Sequence, residues 1–297
     1  MLYRELTNMN IFEAIRKALG YTQEELANEL GVSFASVNRW ENAKTVPAKK
    51  TQEKLLELCK KKSVNIVNLL LDEIKEEAEG VAKKKPNQIV LYHGSKSGIV
   101  EPIQPKSRDV CDFGRGFYMG NDPRQPLTLI CDYDEAKFYI LSVDMEGLKT
   151  QEFKADIDWA LFVSLNRGRI NKDAHAPAYN KYAAIGKDKD MIIGSIANDR
   201  MFIMMERFIS GDITDKALIA SLSALQLGQQ YVAKTEKACK HITIEKQIDL
   251  PWIAKEAFKE ISEQNRQDGI RLANDIYKQH RREGLFFDEI LANVSEG

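Results

Sequence analysis

The sequence predicts an all-α domain, then an α+β domain, then a helical extension at the C-terminus. Over residues 9–63 apolar side chains recur at helical spacing, with Gly20, Gly31 and Pro47 as breaks. From Gln88 onward, short β-branched and aromatic runs mix irregularly with short helical stretches. Regular βαβ alternation is missing from this pattern, which favours α+β over a doubly wound sheet. From Pro251 the pattern turns long, polar and helical. The expected boundaries are 9–63 for the first domain, 64–87 for a helix and linker, 88–250 for the second domain and 251–297 for the extension.

Charge is balanced, with 43 basic and 44 acidic residues in 297. The whole chain is therefore neither a polyanion mimic nor a general nucleic-acid binder. The apolar share of 43% is enough for a sizeable core. Cys59, Cys111, Cys131 and Cys239 show no CxxC spacing and no pairing with histidines. That speaks against disulfides and zinc and fits a reducing cytoplasm. The N-terminus lacks the basic-then-apolar pattern of a signal peptide. The aliphatic run Ile66–Leu71 is far too short to span a membrane. The expectation is a cytoplasmic protein with no metal and no membrane partner.

The first helix carries Ile11, Phe12, Ile15, Ala18 and Leu19 on one face, and Gly20 ends it. Thr22 and Glu25 have capping-box spacing, so a second helix starts there and stops at Gly31. Ser33 caps a third helix, 34–42, with Val37 and Trp40 turned inward. Beyond Pro47, residues 52–61 are amphipathic through Leu55, Leu56 and Leu58. Ser63 is placed to cap a fifth helix, 64–79, with Ile66, Leu69, Leu70 and Ile74 on one stripe. Residues 80–88 read as a linker, and Lys83, Lys84 and Lys85 before Pro86 as a solvated hinge.

Helix, tight glycine turn, helix at this spacing is a helix-turn-helix. The run TQEELANELGVSFASVNRWENAKTVP resembles the lambda-repressor/Cro-like family of bacterial regulators. The resemblance implies that Gln23 faces a DNA phosphate and that the second helix of the pair enters the major groove. Ser33, Phe34, Ser36, Asn38 and Arg39 are then candidate DNA-binding residues. Arg39 suits guanine and Asn38 suits adenine, although either also suits phosphate. Residues 1–62 hold eleven Lys/Arg and eight Asp/Glu, a net of +3, as DNA binding wants. A homodimer is expected, because such domains usually read two half-sites. The competing reading is a helical bundle that binds protein.

The second domain opens with a strand at 88–92, followed directly by His93, Gly94 and Ser95. Further strands are expected at 115–119, 136–143, 191–193, 230–233 and 241–248. Helices are expected after Asp122-Pro123, over 156–166, from Asn198 to Ile209, and from a Thr214 cap to Leu225. In the extension, 251–282, Ile253, Phe258, Ile261, Ile270 and Ile276 are available to dock it on a neighbour.

His93-Gly94-Ser95, then Phe113-Gly114-Arg115-Gly116-Phe117-Tyr118, then Gln230 in a later strand resemble the NAD-binding core of ADP-ribosyltransferases. The type is that of diphtheria toxin and the poly(ADP-ribose) polymerases. Asn198-Asp199-Arg200 and the QYV strand extend the likeness to an uncharacterised bacterial family of such domains, over roughly residues 88–248. The resemblance makes NAD a substrate and assigns the parts. His93 would bond the adenosine-side ribose and Ser95 the other ribose, while the Gly94 backbone clamps the carboxamide. Tyr118 would stack on the nicotinamide, with Gly114, Gly116 and Phe117 shaping the space. Gln230 would orient the 2′-hydroxyl of the nicotinamide ribose. Arg115 and Arg200 are candidates for the NAD phosphates, with Asn198 beside them. Asp112, Asp199 and Glu236 are candidate catalytic helpers.

Most relatives of this type carry Glu where Gln230 stands. Gln orients a hydroxyl but is not a general base, so a single transfer is expected rather than chain growth. The expected function is an NAD-dependent mono-ADP-ribosyltransferase with a DNA-binding domain, acting on protein, RNA or DNA. A toxin or phage-defence effector, with an antitoxin protein as partner, is the setting that analogy suggests. The alternatives are an NAD- or ADP-ribose-sensing transcription regulator and an NAD glycohydrolase.

Overall fold

The computed structural model describes residues 11–195, 199–225, 228–280 and 283–296. In chain order the helices before the first strand are α1 (Ile11–Leu19), α2 (Gln23–Leu30), α3 (Phe34–Glu41), α4 (Lys49–Lys61) and α5 (Ile66–Lys84). Then come β1 (Ile89–Ser95), β2 (Phe117–Gly120), α6 (Arg124–Ile130), β3 (Lys137–Val143), β4 (Thr150–Glu152), α7 (Ile157–Asn166) and α8 (Ala176–Ala184). The chain closes with β5 (Met191–Ser195), α9 (Asp199–Ile209), α10 (Asp215–Leu225), β6 (Gln229–Ala233), α11 (Glu236–Lys240), β7 (Ile242–Asp249), α12 (Trp252–His280) and α13 (Phe287–Glu296). A helical N-terminal region, an α+β region and C-terminal helices are thus present as the sequence predicts.

The compact units are cut differently from the sequence boundaries. One comprises residues 1–99, 123–143 and 243–262, and the other 100–122, 144–242 and 263–297. In the first, β1 pairs antiparallel with β3, Ile89 opposite Val143 and Ser95 opposite Lys137. β7 lies next to β3. One apolar cluster runs from Ile15, Leu26, Leu55 and Leu70 of the helices to Phe138 of β3 and Phe258 of α12. In the second unit the strand order is β4-β5-β6-β2. β4 and β5 are parallel, while β5–β6 and β6–β2 are antiparallel. Its core is built on Phe113, Trp159, Phe162, Phe208 and Phe287.

The expected linker at 80–88 is mostly helix. α5 runs through Gly80 to Lys84, because Val81, Ala82, Lys83 and Lys84 propagate a helix and one glycine costs only about 1 kcal/mol. Pro86 then disfavours helix at Lys85. Lys85 is not a solvated hinge residue. Its Nζ donates to Glu245 Oε1 at 2.6 Å and to Ser142 Oγ at 3.2 Å. The α5 cap is Asn65, whose Oδ1 accepts from Asn68 N at 3.0 Å. Ser63 instead sits at φ 57.

β1 continues through His93 and Gly94 to Ser95, where the apolar pattern had stopped at Tyr92, because Gly94 and Ser95 find partners opposite Phe138 and Lys137. β2 begins at Phe117 rather than at Arg115. Ile270 of α12 is 46% exposed, while Ile253 and Phe258 are buried. Helices α8 and α11 and the short β4 are elements beyond those expected, while α13 sets Phe287, Ile290 and Leu291 at helical spacing on its buried face.

Candidate functional site

The helix-turn-helix is assembled by its caps. Thr22 and Glu25 exchange both capping-box bonds, at 2.7 and 3.2 Å. Gly31 then takes φ 68 at the turn, a left-handed conformation that favours glycine. Ser33 Oγ accepts from Ser36 N at 3.2 Å and lies 2.9 Å from Ser36 Oγ. Asn38 Nδ2 donates to Gln23 Oε1 at 3.3 Å, and Gln23 Nε2 donates to Glu41 Oε2 at 2.6 Å. Gln23 and Asn38 therefore hold the helix pair together, while Ser33 and Ser36 close the first turn of α3. Phe34, at 53% exposure, and Arg39 face outward.

In the same unit, His93 is half-buried and its ring is tilted against Tyr139, with centroids 6.2 Å apart. Ser95 Oγ donates to Gly98 O at 2.8 Å. Gly94 has a packing reason of its own. An added Cβ would stand 2.7 Å from both the Pro126 carbonyl oxygen and Ile130 Cγ2 of α6.

The other half of the signature lies in the second unit. Tyr118 Oη donates to Gly114 O at 2.7 Å and accepts from Phe113 N at 3.0 Å. It thereby closes the turn over residues 113–116, and burial pushes its phenol above the ordinary tyrosine pKa. Gly114 takes φ 69, and a Cβ on Gly116 would collide with Val232 and the Ala233 carbonyl oxygen. Both glycines are thus required by the protein itself.

β2 and β6 pair with Tyr118 opposite Val232 and Gly120 opposite Gln230. β5 sets Gly194 opposite Gln230. Opposed residues share a sheet face, so Tyr118 and Gln230 face the same side. Gln230 is 4% exposed. Its Nε2 donates to Ser195 O at 3.2 Å and lies 3.4 Å from Asp112 Oδ2. Asp112 Oδ1 in turn accepts from Arg167 Nε at 2.9 Å and Nη2 at 2.6 Å. Arg167 carries no signal in the sequence, since 55 positions separate it from its partner.

A cleft of about 240 Å³ in this unit is lined by Gln104, Pro105, Lys106, Arg115, Lys234 and Glu236. Arg115 Nε donates to Pro105 O at 3.3 Å. Lys234 donates to Phe113 O, and burial lowers its pKa to about 8. Three cations against one carboxylate suit an anionic group. Asn198 lies outside the described residues. Asp199 and Arg200 open α9, and their side chains lie outside the description. Among the described residues, no group of three or more His, Cys, Asp or Glu is placed to hold a metal ion. None of their helices is long and apolar enough to cross a membrane.

Two family models match the chain. A helix-turn-helix family covers residues 12–64. A family described as "Protein of unknown function (DUF3990)" covers residues 89–244. No curated protein and no solved structure matches.

Proposed function

We propose, for a chain that belongs to the DUF3990 family of proteins of unknown function and carries a helix-turn-helix ahead of that region, that it is an NAD-dependent mono-ADP-ribosyltransferase tethered to a DNA-binding domain. It transfers ADP-ribose from NAD to a macromolecular acceptor and releases nicotinamide. The observation that supports this best is the strand placement of the signature. His93 lies on β1, Tyr118 on β2 and the buried polar Gln230 on β6, in the order the resemblance requires.

Nicotinamide leaves a pyridinium as a neutral molecule, so its departure needs no proton. The reaction then asks for positioning and for stabilisation of an oxocarbenium-like ribose. In this reading His93 and Ser95 hold the riboses, Tyr118 flanks the nicotinamide ring, and Gln230 orients the 2′-hydroxyl. The cationic cleft around Arg115 takes an anionic group, of which the NAD phosphates are the candidates. The helix-turn-helix binds DNA through α3, and the biological setting is that of a toxin or phage-defence effector in the cytoplasm.

One observation favours a second reading, a regulator that binds NAD or ADP-ribose without transfer. Gln230 is an amide, which neither acts as a base nor offsets positive charge.

The deciding experiment follows nicotinamide release and label transfer from adenylate-labelled NAD into cell lysate, with protease- and nuclease-treated fractions. Wild type is compared with His93→Ala, Tyr118→Ala and Gln230→Ala. Label in one fraction, lost in all three variants, supports the transferase and identifies the acceptor class. Nicotinamide release without label means hydrolysis. NAD binding with neither signal means sensing.

A further inference from the structure

We propose that Asp112 is a positioning residue that fixes which way the Gln230 amide faces, so that Gln230 presents a hydrogen-bond acceptor to the ligand. The inference rests on the transferase reading for its catalytic consequence, but the network itself stands on geometry. A glutamine side chain ends in a donor and an acceptor of nearly equal size, and only its partners decide their placement. Here both neighbours of Nε2 are pure acceptors: the Ser195 carbonyl at 3.2 Å and the Asp112 carboxylate at 3.4 Å. Turning the amide over would set its oxygen against a carbonyl and a carboxylate, with two hydrogen bonds lost and repulsion in their place. Arg167, bonded twice to the other carboxylate oxygen, holds Asp112 in position.

Oε1 is left as the acceptor end, and among the described residues no donor reaches it. A ribose hydroxyl is the group it would receive. A carboxylate at this position would also accept from a hydroxyl, so the locked amide reproduces the accepting part of that role. It does so without a second negative charge beside Asp112. It follows that glutamate is the wrong residue at position 230 in this chain. Its carboxylate would face Asp112 and the Ser195 carbonyl, and the like charge would raise its pKa.

The test uses the full chain with Gln230→Glu, Asp112→Asn and the double variant. Nicotinamide release and thermal stability are measured from about pH 8 to about pH 6. The expected result is that Gln230→Glu loses at least about tenfold in release at the higher pH and recovers as the new carboxyl gains a proton. Its stability should likewise fall as pH rises. Asp112→Asn in the same chain should remove both pH dependences and restore release above that of either single variant. Gln230→Glu as active as wild type, with pH-independent stability, would overturn the inference. If wild type releases no nicotinamide, the transferase reading fails. The stability series still decides the network, because a carboxylate pair at 112 and 230 must titrate whether or not catalysis occurs. If Asp112→Asn fails to fold, the pH series of Gln230→Glu alone carries the decision.

Discussion

Arg16 Nε and Glu41 Oε1 stand 2.5 Å apart, and the two side chains are 14% and 4% exposed. This buried pair ties α1 to the end of α3, and the second carboxylate oxygen also receives Gln23 and Arg16 Nη2. Removing Glu41 leaves Arg16 the Tyr21 carbonyl and Glu13 as partners, so the cost falls toward the lower end of about 3–5 kcal/mol. Glu41→Gln should therefore lower the midpoint of urea denaturation sharply. A paired replacement by apolar residues should lose much less. Equal losses in both variants would mean that the ionic partnership is not what matters.

Gln52 joins the helix-turn-helix to the start of α12. Its Oε1 accepts from Ile253 N at 2.9 Å, and its Nε2 donates to Pro47 O at 2.8 Å. The side chain is 4% exposed, so no water replaces it easily. Gln52→Ala strands a buried N–H and a buried carbonyl and should cost about 1–3 kcal/mol. Hydrogen exchange at the Ile253 amide should accelerate in the same variant.

Burial, then repulsion from Glu76, Glu13 and Glu77, raises the pKa of Glu73 from 4.5 to about 7, with Lys246 pulling the other way. The folded chain thus keeps a proton that the unfolded chain releases. Stability from this group is complete below the unfolded pKa and is lost as pH rises through about 7. Glu73→Gln should flatten that slope. With the shift discounted for partial solvent exposure, the gain above neutral pH should be about 1–2 kcal/mol. A denaturation series across pH that runs parallel for both proteins would refute it.

Arg39 is the outward-facing cation of α3. Arg39→Ala should weaken binding to a selected operator by about 1–3 kcal/mol and relax preference at one base position. A loss spread evenly over all sequences, with a shallower salt dependence, would make Arg39 a phosphate contact instead.

The N-terminal helices were legible because their signals are local. Thr22 and Glu25, Gly31 and Ser33 act on neighbours within a turn, and the structure places each at the helix end its type favours. The strands around the signature were legible from β-branched and aromatic runs. The surroundings of Gln230 were not. Asp112 and Ser195 reach it, and Arg167 reaches Asp112, from three separate segments of chain that no spacing rule links. The cap of α5 was misplaced by two residues because Ser63 and Asn65 are both good N-cap residues. The positive φ at Ser63 and the bond from Asn68 N to Asn65 Oδ1 separate them. Ile270 was misread because period alone does not say which stripe of a long helix meets a neighbour.

The helix-turn-helix and the strand bearing His93 share one continuous apolar cluster, and α5 leaves only residues 85–88 before β1 begins. Cutting the chain at that junction would open the cluster to water on both fragments. A piece beginning at residue 88 would expose the faces of Phe138, Ile140 and Phe258 that belong to it. The N-terminal region is accordingly no detachable cassette. Any exchange of it for a different DNA-reading domain, in the laboratory or in evolution, would have to carry a matching underside for the sheet.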